Sequence, residues 1–284
     1  MIGLPTIYFR DILNSLDYNR DNIMSNDGAS SFFCPMCDQK VSAFVPLGGP
    51  LQQEYAKHPA APISDGNVGE KPQNRFVMEL FAPNMFSCPF CGGMDRERLV
   101  AAYLLRRLGR SFRRPTFRLL EFAPRPAVEY FLRTHFVLHH ETADMFMNNV
   151  DYKINLACMP EIPSKTYDAW ICLHVLEHVP SDHKALKELL RILKPNGFGI
   201  LLVPISLTLP KTDEDPDASI TDRWSRFGQD DHVRLYAKQD FMDRIREAGF
   251  NLKALGKEFF GSIQLKLFGL PETSVLYVVE RPID

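Results

Sequence analysis

Four cysteines stand in two pairs of one form, Cys34-Pro-Met-Cys37 and Cys88-Pro-Phe-Cys91, the second followed by Gly92-Gly93. A Cys-x-x-Cys knuckle turns its backbone tightly enough for both thiolates to reach one ion, so two knuckles suit a single tetrahedral zinc. With four sulfurs bound no position is left for water, and the zinc is expected to be structural, one per chain. The rival chemistry is thiol–disulfide exchange. It would want one pair at the end of a strand in its own sheet, a setting neither pair has. Two further cysteines do not share the spacing: Cys172 lies in an apolar run and reads as a small core residue, and Cys158 lies in a loop.

A second group of residues can handle protons. Leu173-His174-Val175-Leu176-Glu177-His178-Val179 carries two imidazoles that titrate near neutral pH and can act as bases or orient a hydroxyl. Either can equally be a packed histidine satisfied by backbone. The HExxH spacing of zinc proteases is absent. Further on, Phe227-Gly228-Gln229-Asp230-Asp231-His232-Val233-Arg234 is too polar for core. His232 and Arg234 alternate in an extended stretch, so both can point to one side and pair a base with a cation. His232 is the first candidate for a base, and Gln229, Arg234 and Tyr236 are candidates to hold a hydroxylated or anionic ligand. The competing reading joins Arg234 to the nearby acids in a structural ion-pair network. Arg96 and Arg98, just past the second knuckle, can neutralise a ligand carboxylate or be solvated helix positions.

These residues need elements to carry them. From Cys34 to Cys91 the chain is rich in Pro, Gly and Asn, so the knuckles belong to a small, irregular module over residues 1–94, with a short helix at 6–17 and a looped-out segment at 58–74. DRERLVAAYLLRRLGR predicts a bridging helix over 95–110, with Asp95 as cap and Gly109 as stop. Beyond it, apolar runs alternate with amphipathic helices, the pattern of a mostly parallel sheet covered on both faces. Strands are expected at 117–122, 136–144, 150–156, 167–174 and 198–205, and helices at 126–135, 181–194 and 240–250. An antiparallel pair at 251–258 and 274–281 closes the sheet. The helix over 181–194 has Ser181 at its N-cap, a stripe of Leu186, Leu189, Leu190 and Leu193, and Pro195 and Gly197 at its end. Open sheets of this kind bind ligands at the carboxyl ends of their strands, where residues 212–236 would form a lid or wall.

Taken in order, Leu119-Leu120-Glu121-Phe122-Ala123-Pro124, Asp144, Asn155-Leu156, the segment Leu173–Val179 and LKPNGFGILLVP resemble the strand-end motifs of class I methyltransferases dependent on S-adenosyl-L-methionine (SAM). The likeness covers roughly the last two thirds of the chain. With the paired cysteines and the Phe227–Arg234 segment, the chain is similar to a bacterial subset, many of which act on surface sugars or specialised metabolites. The resemblance implies a Rossmann-like α/β domain over 111–284 with a mostly parallel seven-stranded sheet. It also implies a cofactor site made of Glu121, Phe122, Ala123, Pro124, Asp144, Asn155, Leu156, Leu173 and His174. The first motif departs from the family, because its glycines are missing and Pro124 and Pro126 remove two backbone donors. Asp144, with Glu141 as the alternative, can accept from both ribose hydroxyls, and the Asn155 carbonyl can accept from the adenine amine.

Methyl transfer is an in-line displacement from an already activated donor, so the protein must align a nucleophile and, for a hydroxyl, help remove its proton. His232 leads as that base, ahead of His178 and His174; Gln229, Arg234, Tyr236 and Arg98 are expected to hold the acceptor, a small polar molecule. A net charge of −2 gives no chain-wide field to attract nucleic acid or anionic membrane. No stretch reads as a signal peptide or a membrane span, which predicts a cytoplasmic protein. Two other functions fit parts of the pattern: an RNA-base methyltransferase whose zinc module grips its substrate, and a non-catalytic SAM-binding protein. The first would want a basic, aromatic surface before Arg110, where the segment at 58–74 is weakly charged.

Overall fold

The computed structural model describes residues 32–48 and 75–282, and the helix expected at 6–17 and the segment at 58–74 lie outside them. In chain order the elements begin with β1 (Phe32–Cys34), β2 (Gln39–Val41), α1 (Asp95–Leu108), β3 (Arg113–Phe122), α2 (Pro126–His135), β4 (Val137–Asp144), β5 (Tyr152–Lys153) and β6 (Tyr167–Leu173). There follow α3 (Asp182–Ile192), β7 (Leu193–Leu202), β8 (Ile205–Ser206), β9 (Asp213–Glu214), α4 (Ile220–Phe227) and β10 (Arg234–Ala237). The chain then runs through α5 (Lys238–Glu247), β11 (Asn251–Leu255), α6 (Lys257–Phe260), α7 (Ser262–Leu267) and β12 (Leu276–Glu280).

The β6 segment YDAWICL is buried along nearly its whole length, as a strand covered on both faces must be. It lies in a seven-stranded sheet of order β11-β12-β7-β6-β3-β4-β5. The pairs among β5, β4, β3, β6 and β7 are all parallel, and β12 runs antiparallel to both β7 and β11. The sheet is therefore the Rossmann-like one expected, and it brings Phe122, Asp144, Leu173 and Leu202 to one edge. Helix α3 packs on it through buried Ala185, Leu186, Leu189 and Ile192. Leu193 of the expected stripe instead opens β7, and the register jumps from Tyr167↔Leu193 to Ala169↔Phe198 where Lys194–Gly197 bulges out.

Four local expectations change. Asp95 is the first residue of α1 and not its cap: Met94 is the N-cap, its N–H donating to Glu97 Oε2 at 2.9 Å, while Asp95 Oδ2 accepts from the amide of Ala82. Ser181 sits at the N-cap of α3 but makes no capping hydrogen bond. The strand expected at 150–156 shrinks to Tyr152–Lys153, because Asp151 turns its carboxylate to Thr142 and the Asn155 side-chain carbonyl accepts from the amide of Ala157. Helix α4 is an element not expected within the lid or wall at 212–236; Ser219 caps it by accepting from Asp222 N–H, and Gly228 ends it.

The polar stretch after β7 builds a second sheet, β8-β10-β9, beyond the carboxyl edge of the first. The cysteine-bearing segment shares its core with the large sheet. One continuous cluster of buried side chains runs from Phe33 and Cys34 through α1 to Val279, with Phe33 packed on Phe268 at 6.2 Å between ring centroids. No helix among the described residues is long and apolar enough to cross a membrane.

Candidate functional site

The four cysteine sulfurs converge. The turn between β1 and β2 is the first knuckle, closed by Asp38 N–H donating to Cys34 O at 3.0 Å. The second repeats it, with Gly92 N–H donating to Cys88 O at 2.9 Å and Phe90 N–H donating to Cys88 Sγ at 3.4 Å. Gly92 takes φ 71, and a Cβ on Gly93 would lie 2.3 Å from Met36 Sδ, so the glycine pair after Cys91 is required by the turn and by the packing on the first knuckle. Across the knuckles Cys34 Sγ lies 3.7 Å from Cys91 Sγ, and Cys37 Sγ 3.8 Å from Cys88 Sγ. These are not disulfide distances, and tetrahedral zinc with Zn–S bonds of about 2.3 Å sets its sulfurs about 3.8 Å apart. Burial and the neighbouring Cys91 and Cys88 sulfurs push the Cys37 thiol up to about 12. Cys172 is buried in β6 and Cys158 is exposed.

A cavity of about 800 Å³ opens between this module and the carboxyl ends of β6 and β7. The module supplies apolar walls, among them Leu47, Phe81 and Phe86. The start of α1 supplies Arg96, the loop after β6 supplies His174, Glu177 and His178, and the turn after α4 supplies Gln229, Asp231 and His232. The structure thus brings together all three histidines singled out as bases, with Gln229 beside them.

Their arrangement centres on Glu177. Its carboxylate is fully buried and neither oxygen makes a hydrogen bond, although Oε1 lies 3.1 Å from His174 Nδ1. Burial alone would raise it, but the imidazoles of His174, His232 and His178 hold it down at about 2. His178 Nδ1 lies 3.2 Å from Asp231 Oδ2, His232 Nδ1 lies 3.3 Å from Phe227 O, and the two rings meet edge to face at 4.7 Å. Burial lowers His174 and His232. For His178 the Asp231 hydrogen bond and the Glu177 charge outweigh burial, and the net shift is upward. His174 holds φ 55 at the strand end, a left-handed conformation that a non-glycine residue adopts at a cost and that often marks a functional turn.

Three expected ligand contacts lie elsewhere. Arg98 is wholly buried; its guanidinium donates to the carbonyls of Met85, Phe86, Gly93, Phe268 and Gly269 and stacks on Phe44 at 3.8 Å. Arg234 donates to the carbonyls of Leu176, Val179 and Pro180 and to Glu214, and Tyr236 donates to Asp182 at 2.9 Å. Neither lines the cavity, and the ion-pair reading of Arg234 describes its setting. Arg96 is the arginine that faces the cavity, and its guanidinium makes no hydrogen bond or ion pair with a described residue. Burial lowers it from its ordinary value. The sequence offers Arg96 and Arg98 side by side, and the acceptor expectation falls on Arg98, not on Arg96; Glu177 carries no signal beyond lying between two histidines.

At the neighbouring strand ends, Ala123 takes φ 49 and Pro124 follows it, half-buried. The chain thus enters, without glycine, the turn that glycine usually serves. Glu121 Oε1 accepts from Arg125 N–H and its Oε2 lies 3.0 Å from His140 Nε2, while Phe122, Leu156 and Leu173 are buried in the core. Asp144 Oδ1 accepts from the amides of Phe146 and Met147, which leaves Oδ2 open. Glu141, the alternative acid, is tied to Arg118 and Tyr152. Asn155 Oδ1, expected to face an adenine amine, already accepts from Ala157 N–H. Phe146, 80% exposed beside Asp144, is an apolar surface the sequence reading missed.

A family model described as a methyltransferase domain matches residues 94–255, more than half of the chain. Nothing among the curated proteins matches. Among solved structures, a complex between the Haloferax volcanii Trm112 methyltransferase activator and a putative methyltransferase aligns at 14% identity over 66% of this chain and 92% of that one, with a TM-score of 0.44. A SAM-dependent methyltransferase from Archaeoglobus fulgidus aligns at 12% identity over 64% and 94%, with a TM-score of 0.39. A Haemonchus contortus phosphoethanolamine N-methyltransferase bound to phosphomonomethylethanolamine and S-adenosylhomocysteine aligns at 13% identity over 64% and 52%, with a TM-score of 0.41.

Proposed function

The chain belongs to the methyltransferase-domain family and is a SAM-dependent methyltransferase, and on that premise we propose that it methylates a small polar acceptor at a hydroxyl. The observation that carries this reading is the convergence of His174, His178, His232, Gln229 and Arg96 on one cavity at the carboxyl end of β6. A cavity of about 800 Å³ walled in part by apolar side chains of the module suits a metabolite-sized acceptor. Arg96, which lines the cavity and makes no side-chain hydrogen bond or ion pair among the described residues, would bind an anionic group on that acceptor or the cofactor carboxylate.

For the cofactor, the left-handed Ala123, the open Oδ2 of Asp144 and the exposed Phe146 form a fitting set: a close backbone approach, a ribose acceptor and an apolar face for a base. SAM supplies an activated methyl group on a sulfonium. The protein's own part is to hold the acceptor oxygen in line and to take up its proton through the imidazole cluster, with His232 first. Residues 1–94 would be a zinc module, Cys34, Cys37, Cys88 and Cys91 holding one ion without catalysis; the sulfur spacing supports this. Four thiolates on Zn²⁺ leave a charge of about −2, and the buried guanidinium of Arg98, which feels Cys34, Cys88 and Cys91, is the cation beside it.

The reading is tested by calorimetric binding of S-adenosylhomocysteine together with turnover of SAM on hydroxylated acceptors. Asp144→Ala should weaken binding about tenfold or more. His232→Gln should leave binding within about twofold while turnover falls by about a hundredfold or more. Unchanged turnover would remove His232 from the chemistry, and absence of binding in the unaltered chain would overturn the cofactor site.

A further inference from the structure

The proposed reading leaves one feature of the cavity without a role: a fully buried carboxylate, Glu177, whose oxygens make no hydrogen bond although Oε1 lies 3.1 Å from His174 Nδ1, with His178 and His232 also beside it. A buried carboxylate without hydrogen bonds is costly unless a cation completes it. One ligand atom each from Glu177, His178 and His232 lies within 4.8 Å of the others. We infer that Glu177, His178 and His232 form a second metal site, separate from the four cysteines, that takes a divalent transition-metal ion and presents it to the acceptor.

The surroundings have the form such a site needs. Histidine ligands commonly donate their second ring N–H to a carboxylate or a carbonyl, which fixes the ring and leaves the other nitrogen for the metal. His178 directs Nδ1 to Asp231, His232 directs Nδ1 to Phe227 O, and Nε2 of each makes no hydrogen bond with a described residue. The loop that carries Glu177 and His178 is held from behind: Arg234 donates to the carbonyls of Leu176, Val179 and Pro180, and Val233 N–H donates to Glu177 O at 2.9 Å. The same stretch delivers His232, so all three ligands are set by one backbone arrangement.

Two imidazoles and a carboxylate suit zinc, iron(II), cobalt(II) or manganese(II) rather than a hard ion that wants only oxygen. Bonds of about 2.0–2.2 Å would draw the ligand atoms inward by roughly 1 Å, within reach of side-chain rotation. Three protein ligands leave coordination positions open, and the open side is the cavity. With the ion bound, His178 and His232 would serve as its ligands in place of acting as bases, and an acceptor hydroxyl on the ion would lose its proton more readily, which deepens the hydroxyl reading on which this inference rests.

The test counts metals on the full chain. Zinc-loaded protein is equilibrated in turn with Zn²⁺, Co²⁺ and Mn²⁺ in chelator-buffered solution, and bound metal is measured by mass spectrometry beside binding of S-adenosylhomocysteine. The expected result is a second equivalent with at least one ion; it should be lost in His178→Gln/His232→Gln and bound about 10- to 100-fold more weakly in Asp231→Asn, with the first equivalent and cofactor binding unchanged. No second equivalent with any of the three ions, or a second equivalent that survives the double substitution, overturns the site. If the second metal is absent but His232→Gln still abolishes turnover, only this inference fails; if cofactor binding is absent, the underlying reading fails.

Discussion

Arg96 and Arg98 sit two positions apart on one helix, and their settings could hardly differ more. Arg96 meets the cavity with no side-chain partner among the described residues, while every direction of the Arg98 guanidinium ends on a backbone carbonyl. Lysine could not replace Arg98, because a single ammonium cannot span carbonyls from both Met85–Gly93 and Phe268–Gly269. Arg98→Met should strand those carbonyls and cost more than about 3 kcal/mol, since each unsatisfied buried acceptor costs about 1–3 kcal/mol. Arg96→Gln should leave the melting temperature almost unchanged. Equal melting temperatures for the two variants would refute this assignment. The difference was not legible in the sequence: two of the five acceptors for Arg98 lie 170 and 171 positions away. The cysteines were legible because both halves of each chelate lie within four residues.

At the scale of elements, the loop after β6 is held in place by a strand outside its own sheet. Arg234 opens β10 and grips the loop, and Glu214 of β9 grips Arg234 at 3.2 Å and Arg244 of α5 at 2.8 Å. The hydrogen bond from Arg244, with help from Arg234, holds the Glu214 carboxyl at about 2, well below its ordinary 4.5. A carboxylate lowered in the folded state adds stability that is complete above its unfolded value and lost as the pH falls towards its folded one. Glu214→Gln should therefore melt below the parent at neutral pH, and the gap should close between about pH 4.5 and pH 2. A gap independent of pH, in melts recorded from pH 7 to 2, would mean that the ion pairs contribute nothing. The large sheet was readable because buried parallel strands and the α3 stripe have strong periods. The small sheet was not, since two-residue strands have no period; helix α4 did leave a signal, Ser219 three residues before Asp222 and Gly228 behind it.

For the whole molecule, composition separates a loop-rich cysteine segment from alternating strands and helices but cannot tell whether the two melt together. The packing predicts that they do. Buried side chains run without a break from Phe33 and Cys34 through α1 into the sheet, and Arg98 ties the second knuckle to the turn after α7. Cys88→Ser should cost the chain the zinc proposed for the four cysteines, because three thiolates and a hydroxyl would hold the ion far less well than four thiolates. If the zinc module were a free appendage, calorimetry of that variant would show the parent's main transition unmoved and a small one missing. With a shared core, the single transition should move down as a whole, because α1 loses the module carbonyls of Met85, Phe86 and Gly93 and the Phe44 ring that hold Arg98. The cavity should suffer with it. Its apolar wall comes from Leu47, Phe81 and Phe86, so acceptor turnover should fall further than cofactor binding, whose residues at β3 and β4 lie outside the module. An unshifted main transition with turnover intact would show that the module neither shares the core nor shapes the acceptor site.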